Sequence, residues 1–115
     1  MRAAPTENPK RIYEALKRGE IVLVDVREPN EHAAERIDGA LLHPLSTFDP
    51  TALPHDRGRP VVLHCGSGKR SATALAQCAK SGVPVHAHMG GGIVAWKAAG
   101  LPTVSVDPVA VGDRK

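Results

Sequence analysis

With 115 residues, 42% of them hydrophobic, the chain is long enough for one apolar core and too short for two ordinary domains. Its net charge of +3 comes from scattered basic residues and its only aromatics are Tyr13, Phe48 and Trp96, so it has neither the basic stripe nor the stacking platform of a nucleic-acid binder, whereas a small anionic substrate suits the balance. No run nears the ~18 consecutive apolar residues of a membrane span, the opening MRAAPTENPKR has no signal-peptide core, and two cysteines make no disulfide framework; one cytoplasmic domain over 1–115 is expected, with a core over about 8–102 and a loosely held tail over 103–115.

Strand-like and helix-like segments alternate along the chain, the pattern of an α/β domain with a mainly parallel sheet. Asn8 as N-cap and Pro9 at the first helical position open a helix whose inner face carries Ile12, Ala15 and Leu16, and Gly19 ends it. Ile21 to Val26, nearly all apolar, reads as a strand covered on both faces. A helical turn follows over Pro29 to Glu35, then a second strand over Gly39 to Leu42. Ser46 to Pro60 is mostly turn, because Pro50, Pro54 and Gly58 prevent a long helix.

Val61 to His64 reads as the strand leading to Cys65. A helix over about Lys69 to Lys80 places Ala72, Leu75, Ala76 and Ala79 at helical spacing, and Ser81-Gly82 stops it. Val83 to His88 reads as a further strand. Gly90-Gly91-Gly92 turns the corner, and Ile93 to Ala99 forms a last short helix.

Between the strand and the helix lies Cys65-Gly66-Ser67-Gly68-Lys69-Arg70. A strand that delivers a thiol to the sheet edge, glycines that let the backbone curl, and N–H groups at a helix start together make an anion cradle, and such surroundings favour thiolate over thiol. A nucleotide P-loop fails, since Leu63 stands where its first glycine belongs and Arg70 where its Ser or Thr belongs. A dinucleotide fingerprint would need glycine at Ser71. With four residues between Cys65 and Arg70, the loop is one residue shorter than that of cysteine-dependent phosphatases. A tighter ring of amides suits a single sulfur atom on Cys65 better than an enclosed phosphate.

Four separated motifs then align with one family. Val24-Asp25-Val26-Arg27-Glu28 with Glu31, Ile37-Asp38-Gly39-Ala40, Cys65 to Arg70 with Ser71-Ala72, and Gly91 to Trp96 with Gly100-Leu101-Pro102 together resemble a single-domain rhodanese over about Ile21 to Pro102. The resemblance implies a three-layer α/β/α fold, with helices on both faces of a mainly parallel sheet of four to five strands. Arg36 and His32 depart from residues common in the family. Arg2 to Thr6 offers no counterpart of its short first strand, so four clear strands and a vestigial fifth are expected.

The same resemblance implies sulfur transfer without a cofactor. The Cys65 thiolate attacks the outer sulfur of a donor such as thiosulfate, sulfite leaves, and cyanide or a thiol takes the sulfur from the persulfide. Backbone N–H groups from Gly66 through Arg70 are expected to hold the sulfur anion, with Lys69 and Arg70 attracting the donor and Arg70 gripping its sulfonate. Arg27 is a further candidate for substrate contact, although pairing with Glu31 or Asp38 explains it more simply. A persulfide carrier or docking module serving a partner protein's thiol is the alternative. An arsenate reductase or phosphatase-like enzyme is disfavoured by loop length.

Other polar residues have plainer readings. His64, next to Cys65 on a strand, points to the opposite face and is no dyad partner. Asp25 reads as an interior, hydrogen-bonded strand residue, Cys78 as a packed helix residue, and Trp96 as core. His86 and His88 alternate on one strand but lack the further ligands of a zinc site. His43 and His55 fall in loops, and Lys10, Arg11, Lys17 and Arg18 form the solvated face of the first helix.

Overall fold

Asn8 and Pro9 start the first helix as their chemistry dictates: in the computed structural model, which describes residues 5–54 and 58–106, Asn8 Oδ1 accepts from the Lys10 amide at 2.8 Å. This helix, α1 (Pro9–Lys17), follows a two-residue strand, β1 (Thr6–Glu7). Further elements are β2 (Val22–Asp25), α2 (Pro29–Ala34), β3 (Glu35–Arg36), β4 (Leu41–Leu42), β5 (Val61–His64), α3 (Lys69–Lys80), β6 (Ala87–Met89), α4 (Gly92–Ala98) and β7 (Val104–Ser105). Two short 3-10 turns, Leu45–Thr47 and Pro50–Ala52, occupy the proline-rich stretch.

The main sheet runs β1-β6-β5-β2-β4, and every pairing in it is parallel. Strand alternation sorts its side chains into two cores. Val22, Val24, Leu63 and Cys65 face α3 with Ala74, Leu75 and Cys78, while Leu23 and Val62 face α1 and α4 with Ile12, Ile93 and Trp96. Helices therefore cover both faces, and β2 and β5 are buried along their whole length. Each fully buried Leu, Ile or Val side chain contributes about 1.5–3 kcal/mol. Trp96 also donates its indole N–H to the Pro102 carbonyl at 2.7 Å and stands edge-on to Tyr13 with ring centroids 5.5 Å apart.

Four boundaries differ from expectation, each for a local physical reason. The N-terminal strand exists: the Pro5 carbonyl accepts from His88 N at 3.1 Å and the Glu7 carbonyl from Gly90 N at 3.0 Å, which makes a fifth strand of Thr6–Glu7. The strand expected from Val83 starts only at Ala87, since Pro84 cannot donate to a ladder and Val83 N is drawn to the Cys78 carbonyl at the end of α3. The strand expected from Gly39 is confined to Leu41–Leu42, because Ala40 N closes a turn onto the Ile37 carbonyl.

The start of the presumed tail is anchored. Val104–Ser105 pairs antiparallel with Glu35–Arg36, Glu35 accepts from Thr103 Oγ1 at 2.6 Å and Lys97 Nζ at 2.8 Å, and Val106 N donates to the Ala34 carbonyl. The expectations for Arg2, for His55 and for the tail past residue 106 fall outside the described residues.

Candidate active site

β5 ends at His64 and hands the chain to Cys65 at the carboxyl edge of the sheet, where α3 begins four residues later. The floor of the intervening loop is clamped from the side by α4: Ile93 N donates to the Cys65 carbonyl at 2.8 Å and Val94 N to the Gly66 carbonyl at 3.1 Å. That approach demands glycine at position 92. Its φ is +61°, and a Cβ there would lie 2.4 Å from the Gly66 oxygen and 2.5 Å from the Cys65 oxygen. The third glycine of Gly90-Gly91-Gly92 thus serves the loop as much as the turn.

Within the loop the amides turn inward. Gly68 N donates to Cys65 Sγ at 3.0 Å and Ser71 N at 3.3 Å, and the Cys65 S–H lies 3.5 Å from the Ser71 hydroxyl oxygen. Gly68, at φ +105°, bends the chain so that its own N–H reaches the sulfur just before α3 starts. Burial pushes the thiol up, but hydrogen bonds from the Ser71 hydroxyl and from the Ser71, Gly68 and Ser67 amides outweigh it, and the net shift is downward. Of the amides expected from Gly66 through Arg70, those of Ser67 and Gly68 act on the sulfur, and Ser71, one residue past that set, supplies the other. Cys65 is also completely buried, 0% exposed, so the loop sits closed over its sulfur.

Of the expected substrate contacts, Lys69 stands exposed at the first turn of α3. Arg70 lies against the loop, its Nη2 3.1 Å from where a Gly66 side chain would start, and is gripped by Glu31 of α2 through Nη1–Oε1 at 2.7 Å and Nη2–Oε2 at 3.0 Å. The pair raises the guanidinium pKa and lowers that of the carboxylate.

Arg27 takes neither of the partners expected for it. Its backbone N–H and guanidinium bind the Asp25 carboxylate at 2.8–3.1 Å and its Nη2 also reaches the Glu35 carbonyl, because Asp25 and Arg27 stand two apart and share a side at the end of β2. Arg27 is 5% exposed.

Asp25 is the centre of a buried polar cluster that also includes His32, whose Nδ1 lies 2.9 Å from Oδ2, and His64, whose Nε2 is 3.8 Å from Oδ1. Burial raises the Asp25 pKa, yet Arg27, His64 and His32 together bring it below the ordinary value. Burial holds His64 low, against the pull of Asp25. As strand alternation implies, His64 does not reach Sγ. Its Nδ1 faces the Cys65 carbonyl at 3.3 Å, and Nε2 has no hydrogen-bond partner.

Three residues at the loop escaped sequence reasoning in these roles: Ser71, Glu31 and His88. The Ser71 hydroxyl is 2.9 Å from His88 Nδ1. A hydroxyl directly after the arginine, in the first turn of a helix whose N-terminus cradles the thiol, was the available signal for Ser71. His88 joins only through the pairing of β6 with β5, which aligns it with Leu63. His86 turns instead to Glu7, at 3.4 Å, so the two strand histidines do not converge.

Comparison with known proteins agrees with this architecture. The model for the rhodanese-like domain matches residues 8–99. Protein slr1261 of Synechocystis sp. is 45% identical over 96 residues, covering 84% of this chain and 54% of its own length, so the chain spans about half of that relative. A protein named sulfurtransferase from Allochromatium vinosum is 36% identical over 86 residues, 75% of this chain and 80% of its own. Among solved structures, a rhodanese-related protein from Thermoplasma volcanium superposes with a TM-score of 0.74 at 28% identity, covering 87% of this chain and 97% of that one. A parallel sheet that carries a cysteine into a loop of inward amides, matched by a family model from the first helix to the last, leads to one conclusion: the chain belongs to the rhodanese-like domain family.

Proposed function

We propose that this chain is a sulfurtransferase that moves sulfane sulfur from a small anionic donor such as thiosulfate to a thiophilic acceptor through a persulfide on Cys65. The observation that carries the reading is the reach of the Gly68 and Ser71 amides to Cys65 Sγ, at 3.0 and 3.3 Å. Donors placed there stabilise negative charge on sulfur, which is present in both half-reactions. In the first, the thiolate forms a bond to the outer sulfur of thiosulfate and the S–S bond of the donor breaks, with its electron pair leaving on sulfite. In the second, cyanide or a thiolate bonds to that same sulfur and the Cys65 thiolate departs from it. Charge and atoms balance in each, and no cofactor is needed.

The closed loop fits a small ligand. Cys65 is fully buried, so a donor reaches Sγ only when the loop opens, and its sulfonate then competes with the Glu31 carboxylate for the Arg70 guanidinium. Substrate contact through Arg27 is not part of the reading, since Asp25 and the Glu35 carbonyl occupy its guanidinium. A cytoplasmic setting, where thiols stay reduced, suits the two free cysteines.

A second reading, with a partner protein's thiol as acceptor, draws on Val94. This side chain is 64% exposed on the residue whose amide holds the Gly66 carbonyl, so it offers an apolar contact beside the loop. Turnover assays separate the readings. Purified protein given thiosulfate and cyanide is expected to release thiocyanate, and Cys65→Ala to release none. Slow cyanide turnover with fast transfer to a protein thiol supports the carrier, and hydrolysis of an aryl phosphate by wild type contradicts both.

A further inference from the structure

Cys65, Ser71 and His88 form a continuous chain of polar atoms that no step above uses. Cys65 Sγ is 3.5 Å from Ser71 Oγ, Ser71 Oγ is 2.9 Å from His88 Nδ1, and His88 Nε2 is 3.5 Å from Thr6 Oγ1. Cys65 and Ser71 are completely buried and His88 is 8% exposed, so the line runs from the covered thiol to the rim of the sheet. A hydroxyl has one proton to give, and Ser71 has three acceptors in range: the sulfur, the imidazole and the Gly68 carbonyl at 3.2 Å. What decides its direction is whether His88 Nδ1 donates or accepts.

We propose that His88 is the positioning residue of this site, acting through Ser71 as a relay that takes the proton from Cys65 and turns the serine hydroxyl toward the sulfur. In the thiol state, S–H donates to Ser71 Oγ, the serine donates to Nδ1, and Nε2–H points to Thr6. When the thiol ionises, its proton passes to Ser71 Oγ as the serine proton passes to Nδ1, and Nε2 releases its own proton to solvent water at the rim, where Thr6 is exposed. The products are a thiolate and a neutral imidazole of the other tautomer, whose Nδ1–H now holds Ser71 in place to donate to sulfur. No electrons change hands, and the hydrogen-bond chain is complete in both states.

The surroundings favour this use. Burial keeps the imidazole pKa low, so at neutral pH His88 is an acceptor with an empty nitrogen. The groups facing it are Ser71 from α3, Thr6 from β1 and, behind Ser71, the Cys65 thiol that follows β5. Neighbouring charges are committed elsewhere: Glu7 to His86 at 3.4 Å and Arg70 to Glu31 at 2.7 Å. Among the contacts of Ser71 and of His88 Nδ1 within the described residues, the titrating group the relay reaches is the nucleophile.

The test is His88→Phe, which keeps a ring in the same place but supplies neither an acceptor for the Ser71 proton nor the N–H that holds the serine hydroxyl toward the thiolate. The role of the relay in turnover rests on the sulfurtransferase reading, whereas the ultraviolet absorbance of the thiolate needs no sulfur donor. In the variant the Cys65 ionisation midpoint is expected to rise by about one pH unit. Loading from thiosulfate is expected to slow about tenfold below the wild-type midpoint and to recover as the pH passes the raised one. An unchanged midpoint, or a rate lowered equally at every pH, overturns the relay.

Should the variant not fold, wild-type protein answers the same question through the nitrogen-15 shifts of His88. They are expected to switch from the Nε2–H to the Nδ1–H tautomer as Cys65 ionises, and to stay fixed in Cys65→Ser. A tautomer indifferent to Cys65 overturns the proposal. Absence of sulfur loading in wild type, with ionisation behaving as described, contradicts the sulfurtransferase reading and leaves the relay intact.

Discussion

Arg70 and Glu31 meet as a two-pronged ion pair, at 2.7 and 3.0 Å, that ties the first turn of α3 to α2 across the loop holding Cys65. The guanidinium expected to receive an anionic donor is already occupied by a carboxylate of the chain itself. Glu31 in turn is fixed by its helix, since its Oε1 accepts from the Glu28 amide at 3.0 Å in a capping box.

That pairing sets opposite outcomes for its two members. Arg70→Ala removes the donor's docking charge, so sulfur loading from thiosulfate is expected to fall about tenfold and its salt dependence to weaken. Glu31→Gln removes the competitor, so loading at low salt is expected to rise a few-fold. Stopped-flow loading rates across an ionic-strength series measure both. Equal behaviour of the two variants would show that the pair matters only as a strut.

Gly92→Ala is expected to be among the most damaging small substitutions in the chain. A methyl group 2.4–2.5 Å from two carbonyl oxygens and a residue held at positive φ together cost about 2–4 kcal/mol. Urea unfolding reads the stability loss. The Cys65 thiolate absorbance reads the displaced loop, because the oxygens that would be pushed away belong to Cys65 and Gly66.

The Asp25 cluster makes the fold sensitive to acid. The Asp25 pKa is lower folded than unfolded, so its contribution is present above the ordinary carboxylate range and is lost as pH falls through the folded value. His64 is held below the ordinary histidine value of 6.5, so the unfolded chain binds a proton first and stability drops as pH falls below that value. Both signs agree: stability is expected to decline from about pH 7 to about pH 5 and further below. Asp25→Asn, which leaves the Arg27 charge buried without its counter-charge, is expected to cost about 3 kcal/mol at neutral pH. Urea midpoints measured across that range check both statements.

The two thiols are expected to differ in reactivity. Cys78 is buried against β2 and β5 and burial alone raises its pKa, whereas amide and hydroxyl donors lower that of Cys65. At neutral pH an alkylating reagent is expected to mark Cys65 first, and Cys78→Ala to retain sulfur loading. Peptide mapping after brief alkylation checks the order. Preferential labelling of Cys78 would contradict the electrostatic description of the loop.

The parts of this structure legible in the sequence are those set by near neighbours. Helix α3 begins and ends where the spacing of its apolar residues and Ser81-Gly82 place it, and β5 delivers Cys65 as the run Val61 to His64 implies. What stayed hidden depends on register between distant strands. Thr6–Glu7 becomes a strand only because His88 and Met89 lie beside it, and Val104–Ser105 only because Glu35–Arg36 offers an edge. Likewise, no local pattern reveals that Glu31 reaches Arg70, or that His88 reaches Ser71. The Asp25–Arg27 pair was within reach of period-two alternation, but two charges on a strand buried on both faces read as an exception until the cluster around them is seen.

The central claim is that Cys65 accepts one sulfur atom and holds it as a persulfide. Intact-mass measurement after incubation with thiosulfate tests it most directly. The account predicts a gain of one sulfur that cyanide removes, and that Cys65→Ala never acquires. An unchanged mass with every sulfane donor tried, or a sulfur that persists in Cys65→Ala, would contradict it.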